Sequence, residues 1–380
     1  MSVPLGDFSH RQFLEEYWQK NPCLIRQAIT NFDPMLDADD LAGLACEEMV
    51  ESRLVTGSVD ASDWSVSHGP FSDADFSALP EENWTLLVQD VEKHYPPLLA
   101  LMQHFSFIPN WRLDDLMLSY AVTGGSVGPH IDQYDVFLLQ AQGTRRWQIT
   151  RTFEPALRKE CPLNVLQQFT AEQEWVLEPG DMLYLPPNVA HLGIALEPGM
   201  TYSIGSRAPS AADLIQGLGE WLAFSDDEGG RYSDPDLQAV IRAGEIDGNA
   251  LQGLHKLLLA TIEENQDLNH YLVAFMSRYR LAHEPAAAAA SIRTVDLLAA
   301  LQDGSKLFRN PWTRLTWIEN DKDARLYATG QPYDCSTWLA EALCEWEQPR
   351  IRAELLDQSD LNTLAELINN GHFLLTPVEL

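Results

Sequence analysis

Residues 114–207 contain seven short β-rich runs, and every segment between two runs contains glycine or proline. The runs cover residues 115–122, 130–140, 144–150, 175–178, 182–185, 191–196 and 200–207. Short strands that are punctuated so regularly by turn residues are typical of β-sandwiches and β-barrels. The middle of the chain is therefore predicted to form a two-layered or closed β-structure.

The segment before this β-rich region is predicted to be a mainly helical scaffold. Its predicted elements are a helix around Phe13, a short strand at residues 23–26, a helix at residues 37–44 and a helix from about residue 86 to 104. The last helix is expected to be interrupted at Pro96 and Pro97, because proline lacks the amide hydrogen that a helix interior needs.

The chain is predicted to become helical again after residue 209. Ser210 and Asp213 have the spacing of a capping box, and apolar residues follow at helical spacing over residues 214–222 and again over residues 251–262. Two apolar helices outside a complete barrel can pack within the chain or against a second copy. The sequence leaves both open, and we expect a homodimer.

The last part of the sequence has the element order of a small winged-helix domain. The predicted elements are strands at residues 313–319 and 325–329 around a turn at residues 320–323, helices near residues 336–346 and 359–369, and a strand at residues 372–375. The five alanines at residues 286–290 are either a linker or a helix, since alanine is the best helix former.

These patterns together predict an α+β chain in three parts. Residues 1–209 are expected to hold the N-terminal scaffold and the β core, which lies at about residues 114–207. Residues 210–285 are expected to be a helical dimerisation region, and residues 286–380 an acidic winged-helix-like domain.

The charge of the chain restricts its partners. It has 56 acidic and 25 basic residues, a formal net charge of −31, and residues 331–380 alone carry nine Asp or Glu against two Arg. Such a chain repels phosphate backbones, so direct DNA binding is not expected, whereas a basic protein is a suitable partner. With no apolar run of membrane-spanning length and no signal-peptide pattern, we expect a cytoplasmic protein with no membrane contact.

Two distant motifs could together hold one metal ion. His130 and Asp132, in the segment Gly-Pro-His-Ile-Asp, are two residues apart at a predicted strand start, where alternate side chains face the same way. The second motif, residues 179–191, combines a Pro-Gly turn, an apolar strand and a Pro-Pro corner that delivers His191. Two histidines and one carboxylate on one face of an ion are the ligand set of non-haem iron(II) oxygenases.

On these two motifs the chain resembles the JmjC-type, cupin-fold 2-oxoglutarate oxygenases, in which such a strand and a distal histidine bind iron. It looks most like the bacterial ribosomal oxygenases, the YcfD-like group, and the similarity extends over almost the whole chain. The resemblance implies a double-stranded β-helix, with iron(II) as cofactor and 2-oxoglutarate as co-substrate.

The resemblance also implies roles for individual residues. His130, Asp132 and His191 would bind the metal, and Arg145 would bind the distal carboxylate of 2-oxoglutarate, because an arginine fork suits a carboxylate. Its neighbour Arg146 should point the opposite way. Similarity further implies that Ser119 hydrogen-bonds 2-oxoglutarate.

The same resemblance suggests a slot for a substrate guanidinium. Asp115 and Met117 alternate with Ser119 on one strand, and Tyr134 is expected to come from the His130 strand. A carboxylate would pair with the guanidinium and an aromatic face would stack on it. A register shift of one residue would replace Asp115 by Asp114.

The function implied by the resemblance is hydroxylation of the β-carbon of an arginine in large-subunit ribosomal protein L-sixteen. Two alternatives stay open at this stage. The enzyme could act on another protein residue or a small molecule, or the chain could be a cupin-like module that holds metal without turnover.

Overall fold

The computed structural model describes residues 5–6, 8–61, 63–224, 230–239, 242–320, 323–345 and 349–377. The chain divides into two compact units, Met1–Ala208 and Pro209–Leu380. Each unit has its own hydrophobic core, and each is described separately below.

In its described residues, the first unit has twelve strands. They are β1 (Cys23–Ile25), β2 (Ser52–Thr56), β3 (Ser65–His68), β4 (Trp84–Val88), β5 (Leu113–Ala121), β6 (His130–Ile131), β7 (Val136–Gln142), β8 (Arg145–Thr150), β9 (Gln173–Leu177), β10 (Met182–Leu185), β11 (Ala190–Ala195) and β12 (Gly199–Ser206). Its helices are α1 (His10–Glu16), α2 (Ala38–Ala45), α3 (Asp73–Ser77), α4 (Val91–His94) and α5 (Leu99–Met102).

Strands β5–β12 form two facing antiparallel sheets. One sheet has the order β1-β10-β7-β12-β5-β4-β2-β3, and the other has the order β6-β11-β8-β9. Between β5 and β12 the chain changes sheet repeatedly, so the neighbours β5–β12, β7–β12, β7–β10, β6–β11 and β8–β11 are distant in sequence. This is the double-stranded β-helix that the resemblance implies, and the fold-class prediction is confirmed.

Apolar side chains from both sheets fill the barrel. The cluster comprises Val136, Leu138, Trp147, Ile149, Leu177, Leu183, Leu185 and Val189. In β8 the burial alternates from Arg145 to Ile149, so one face of that strand points into the barrel. Burying a side chain of the size of leucine or isoleucine contributes about 1.5–3 kcal/mol, which makes this cluster a rigid support for the polar residues nearby.

The turn residues set the strand boundaries. Gly180 has φ +91° before β10, and Asn188 has φ 63° after the Pro-Pro corner, both in the left-handed region. A Cβ added to Gly180 would lie 2.7 Å from the Ile29 carbonyl oxygen, so only glycine fits this turn. Strand β10 has the predicted limits, Met182–Leu185.

Two sequence predictions for this unit are wrong. The strand predicted at residues 130–140 is two strands, β6 and β7, because the chain turns at residues 132–135. The helix predicted from about residue 86 begins only at Val91, since Trp84–Val88 is strand β4, paired with β2 and β5. Strands β2–β4 extend the first sheet beyond the barrel, and none of the three was predicted as a strand.

The second unit begins with helices α6 (Ala211–Phe224), α7 (Gly248–Glu263) and α8 (Leu268–Arg278). The predicted capping box is present, because the Ser210 amide donates to Asp213 Oδ2 and the Asp213 amide donates to Ser210 Oγ. Leu218, Tyr271 and Phe275 form the core between α6 and α8. No residue of α7 is buried.

The remainder of the second unit is a small α+β structure. Its elements are α9 (Thr294–Gln302), β13 (Lys306–Arg309), β14 (Leu315–Asn320), β15 (Asp323–Ala328), β16 (Gln331–Cys335), α10 (Thr337–Cys344), α11 (Gln358–Asn369) and β17 (Phe373–Thr376). Strands β14–β16 pair in order and β13 pairs with β17, so the predicted hairpin and terminal strand are confirmed. Residues 286–290 are neither helix nor strand.

Some predicted positions lie outside the described residues, namely Asp321 and Lys322 in the predicted turn and Trp346 at the end of a predicted helix. Among the described helices, none combines the length and the apolar character that crossing a membrane would need. The boundary proposed at residues 285–286 stays a prediction.

Candidate active site

His130 and His191 are brought together by strand pairing. They are direct partners in the antiparallel pair β6–β11, and their ring centroids lie 4.2 Å apart. Strand β11 also pairs along its full length with β8, which fixes its register from both sides. The 58 residues between Asp132 and His191 therefore do not prevent the two motifs from meeting.

Asp132 completes a three-residue cluster. It directly follows β6, and its carboxylate oxygens lie 3.5 Å from His191 Nε2 and 4.0 Å from His130 Nε2. One ligand atom from each of the three residues lies within 4.8 Å of the others. In the part of the chain that the structure describes, this is the only group of three such residues that could hold a metal ion.

Backbone carbonyls orient both imidazoles. His130 Nδ1 lies 3.0 Å from the Gly128 carbonyl oxygen, and His191 Nδ1 lies 3.0 Å from the Val189 carbonyl oxygen. When Nδ1 of each ring carries the hydrogen and donates a hydrogen bond to its carbonyl, Nε2 is left with a free lone pair. That arrangement is the usual one for metal-binding histidines, and both Nε2 atoms point toward Asp132.

The electrostatics of His191 favour the metal-binding form. Burial, together with the nearby His130, lowers the pKa of His191 to about 4. The imidazole is therefore neutral at physiological pH, and neutral imidazole is the form that binds metals. Two imidazoles and one carboxylate on one side of an ion fit iron(II) with further coordination positions free.

Arg145 is a buried cation inside the barrel. It is 5% exposed, and its Nη1 lies 3.2 Å from Thr201 Oγ1 and 3.4 Å from Ser119 Oγ. Burial lowers its pKa to about 10. Among the described residues no carboxylate forms an ion pair with Arg145, and its Nε has no hydrogen-bond partner. Burying an unpaired charge is costly, so this site fits the carboxylate of a small ligand.

The structure shows three polar or small residues around Arg145 that the sequence analysis missed. Thr201 donates to Gln140 Oε1 and accepts from Arg145, and it pairs with Ser119 across β5–β12. Gly193 lies opposite Trp147 in the β8–β11 pair and leaves room for Arg145. The alternation of the run at residues 200–207 could have placed Thr201 on one face, but nothing in it shows which face is inner.

Arg146 lies on the other face of β8, as predicted from strand alternation. It is partly exposed, whereas Arg145 and Trp147 on either side of it are buried. Arg145 rather than Arg146 therefore shares the barrel interior with Ser119 and Thr201.

The residues predicted to form a guanidinium slot are placed as follows. Asp115 and Met117 are partly buried on β5, and a Cβ added at Gly205 would lie 3.1 Å from Asp115 Oδ1. Burial raises the pKa of Asp115 well above its usual value, and nearby Asp114 adds to the effect. Asp114 itself is paired with Arg207 Nε at 3.1 Å, which favours Asp115 over Asp114 for the slot.

Tyr134 corrects one detail of the prediction. It was expected on the His130 strand, but it lies in the turn between β6 and β7. Its ring packs against the barrel cluster that contains Leu138 and Trp147, whereas Met117 packs against a separate cluster around Trp64 and Val165. The two side chains therefore border different apolar regions.

Comparison with known proteins identifies the family. Residues 100–214 match the JmjC domain, and residues 259–373 match the ROXA-like winged helix. The chain is 38% identical to the ribosomal protein uL16 3-hydroxylase of Escherichia coli (strain K12), over 95% of this chain and 96% of that protein. This chain belongs to the JmjC-type ribosomal oxygenases.

Other ribosomal oxygenases agree with this assignment. The chain is 34% identical to a probable ribosomal oxygenase of Haemophilus influenzae, over 87% of this chain and 81% of that protein. An X-ray structure of E. coli YcfD has a TM-score of 0.86 at 35% identity, over 97% of this chain and 98% of that one. The structure of YcfD with cobalt and 2-oxoglutarate has a TM-score of 0.82, at the same identity and coverage. The predicted family resemblance is confirmed.

Proposed function

We propose that this ribosomal oxygenase is an iron(II)- and 2-oxoglutarate-dependent hydroxylase of an arginine in the basic large-subunit ribosomal protein uL16 (L-sixteen). The observation that carries the proposal is the convergence of His130, Asp132 and His191 in the same barrel as the buried cation Arg145, for which the described residues provide no carboxylate partner. The E. coli relative is named a uL16 3-hydroxylase, and YcfD has been solved with cobalt and 2-oxoglutarate.

In the proposed site, His130 Nε2, a carboxylate oxygen of Asp132 and His191 Nε2 hold the metal. The carbonyls of Gly128 and Val189 keep both imidazoles in the required tautomer. When bound, iron(II) and 2-oxoglutarate supply the oxygen-activating chemistry, in which 2-oxoglutarate is decarboxylated to succinate and one oxygen atom enters a carbon–hydrogen bond.

Arg145 binds the distal carboxylate of 2-oxoglutarate in this proposal. Its Nε has no partner among the described residues, so a carboxylate can accept from it without displacing another acceptor. The Ser119 hydroxyl lies beside Nη1 and can donate to the same carboxylate, whereas Thr201 donates to Gln140 Oε1 and accepts from Nη1, which holds the guanidinium in place. The apolar barrel cluster keeps water from this ion pair and so strengthens it.

Asp115, Met117 and Tyr134 are proposed to receive the substrate arginine. Because burial raises the pKa of Asp115, its charged form is unfavourable until a cation approaches. A guanidinium forms an ion pair with the Asp115 carboxylate and stabilises its charged form. An uncharged side chain of similar size forms no such ion pair. The slot therefore selects arginine over uncharged residues.

The charge of the chain supports a basic protein partner. A net charge of −31 attracts a ribosomal protein and speeds its encounter with the enzyme, most strongly at low ionic strength. The same charge disfavours direct DNA binding by the C-terminal winged helix. We also propose a cytoplasmic location, where ribosomal proteins are made.

We further propose that the enzyme is a homodimer through α7. Five of its apolar residues are exposed by 39–66%, and most recur at three- or four-residue spacing on one face: Leu251, Leu254, Leu258, Leu259 and Ile262. A 16-residue helix with no buried residue gains little from its own hydrogen bonds in water. A second copy that presents the same face would bury this surface symmetrically.

Mass spectrometry of purified uL16 tests the proposed activity. The full chain is incubated with iron(II), 2-oxoglutarate and uL16, and His130→Ala is compared with His68→Ala, which removes an exposed histidine of β3. We expect wild type and His68→Ala to add one oxygen atom to one arginine and His130→Ala to add none.

Two other outcomes would redirect the proposal. If wild type formed succinate but added no oxygen atom to uL16, the substrate of the oxygenase would be another protein residue or a small molecule. Equal succinate formation by wild type and His130→Ala would contradict the enzymatic function and leave a metal-binding module.

A further inference from the structure

Asp135 is a fully buried carboxylate with three side-chain donors. It is 0% exposed, and it accepts hydrogen bonds from Tyr184 Oη at 2.6 Å, Gln19 Nε2 at 2.9 Å and Arg112 Nη2 at 3.1 Å. Its backbone carbonyl accepts from the Ser206 amide at 2.9 Å. Burying a carboxylate is costly unless donors compensate it, and here each of its two oxygens accepts at least one hydrogen bond.

These four donors come from four separate parts of the first unit. Gln19 follows α1, Arg112 precedes β5, Tyr184 is in β10 and Ser206 ends β12. The Tyr184 hydroxyl, which donates to Asp135, also accepts from the Gln19 amide at 2.8 Å. Asp135 therefore joins the N-terminal scaffold to the larger barrel sheet.

The arginine in this network is itself held in place. The Arg112 guanidinium lies 5.6 Å from the ring centroid of Trp18 and 5.7 Å from that of Trp111. Contact with two aromatic rings restricts its orientation, so the hydrogen bond to Asp135 has a fixed direction.

Asp135 is also part of the turn that carries the metal-site carboxylate. Residues 132–135 connect β6 to β7, so Asp132 begins this turn, Tyr134 lies within it and Asp135 ends it. At the other end, the Asp132 carbonyl accepts from the Asn188 amide at 2.9 Å. A four-residue turn fixed at both ends gives Asp132 and Tyr134 little freedom.

We propose that Asp135 is a positioning residue, which fixes this turn and thereby places the Asp132 carboxylate for metal binding and the Tyr134 ring for substrate binding. This inference rests on the proposed function, because Asp135 touches neither metal nor substrate. It explains why a carboxylate lies here. An amide oxygen could accept from Arg112 and Gln19, but the amide NH2 would then face the Tyr184 hydroxyl, which donates to the other carboxylate oxygen and already accepts from the Gln19 backbone.

The test compares Asp135→Asn with Asp181→Asn in the full chain. Asp181 is a matched control because it is also a buried carboxylate, only 2% exposed. It accepts from Arg26 Nη1 at 2.5 Å and from the Gln27 amide at 2.9 Å. It directly precedes β10, the strand that contains Tyr184. Three quantities are measured: the dissociation constant of manganese(II) alone by electron paramagnetic resonance, the ratio of hydroxylated arginine to succinate, and the melting temperature.

We expect both variants to melt at a lower temperature, but only Asp135→Asn to lose function. Its manganese(II) affinity should fall by about tenfold, the lower end of the loss seen when a residue that orients a metal ligand is removed. Its ratio of hydroxylated arginine to succinate should fall as well, since Tyr134 is no longer held in place. Manganese(II) affinity and product ratio within twofold of the Asp181→Asn values would overturn the inference.

Tyr184→Phe and Gln19→Ala keep the test decisive if Asp135→Asn does not fold. Each removes one donor to Asp135, and we expect each to weaken manganese(II) binding by about threefold, while unchanged binding in both would overturn the inference. Manganese(II) binding needs no ribosomal protein. A wild-type enzyme that leaves uL16 unmodified would therefore contradict the proposed substrate without deciding the role of Asp135.

Discussion

Gly193 leaves the space that Arg145 occupies inside the barrel. A Cβ at Gly193 would lie 3.0 Å from Arg145 Nε and 2.7 Å from two ring atoms of Trp147. Both neighbours are buried and about 5% exposed, so neither can move aside easily.

Gly193→Ala should therefore displace the Arg145 guanidinium and weaken 2-oxoglutarate binding. We expect the KM for 2-oxoglutarate to rise by about tenfold or more, because a methyl group forced into a packed site costs about 1–3 kcal/mol. Steady-state kinetics with varied 2-oxoglutarate measure the change, and manganese(II) binding serves as the control. An unchanged KM would show that Gly193 does not limit the position of Arg145.

Arg145→Ala and Arg146→Ala form a matched pair on opposite faces of β8. Loss of one member of a buried, hydrogen-bonded ion pair costs about 2–5 kcal/mol, so Arg145→Ala should raise the KM for 2-oxoglutarate by about thirtyfold or more. Arg146→Ala should change it by less than about threefold, since that side chain lies outside the barrel. Similar effects of the two substitutions would contradict the assignment of Arg145.

Glu92 should make the stability of the first unit pH-dependent. It is 4% exposed, and burial raises its pKa to about 7, outweighing the attraction of Lys93. The folded state thus binds the proton more tightly than the unfolded state, whose pKa is near 4.5. The contribution of Glu92 to stability is therefore complete below pH 4.5 and is lost as the pH rises through 7.

Denaturant unfolding of wild type and Glu92→Gln between pH 5 and 8 measures this effect. The free energy of unfolding of wild type, relative to Glu92→Gln, should fall with rising pH by about 3 kcal/mol at most. Glu82→Gln, which removes an exposed carboxylate, is the control. Its free energy of unfolding should change with pH in the same way as that of wild type. A constant difference between wild type and Glu92→Gln across this range would refute the predicted shift.

Leu258→Asp should dissociate the proposed dimer. Leu258 is 66% exposed on α7, and a charge there would be buried without a partner in a symmetric interface. Val295→Asp is the control, because Val295 is also exposed, by 63%, but lies in the first turn of α9, where an acidic residue is favourable. Sedimentation should show a dimer for wild type and Val295→Asp and a monomer for Leu258→Asp. A monomeric wild type would contradict the dimer proposal.

The sequence predicted the barrel strands well because their limits depend on local chemistry. The Pro-Gly turn before β10 and the Pro-Pro corner after it can be read from the residues themselves. Strand β4 was missed for the opposite reason. Residues 84–88 are a short apolar run, and only its pairing with β2 and β5, both distant in the chain, makes it a strand.

The same distinction applies to the site. The three candidate metal ligands, His130, Asp132 and His191, come from two local motifs, so all three could be predicted from the sequence alone. Thr201 is 56 residues from Arg145, and no pattern near either residue indicates their contact. The turn at residues 132–135 was predicted as strand. The hydrogen bonds that hold Asp135 there come from four other segments, three through side chains and one through the Ser206 amide, and no local pattern indicates them.

The most direct test of the account is a crystal structure of the full chain grown without oxygen, with manganese(II) and a 2-oxoglutarate analogue. We expect one ion bound by His130 Nε2, Asp132 and His191 Nε2, with the remaining positions taken by the analogue and water. We also expect the distal carboxylate of the analogue to lie on Arg145. An ion bound elsewhere, or a fourth protein ligand that closes the site, would contradict it.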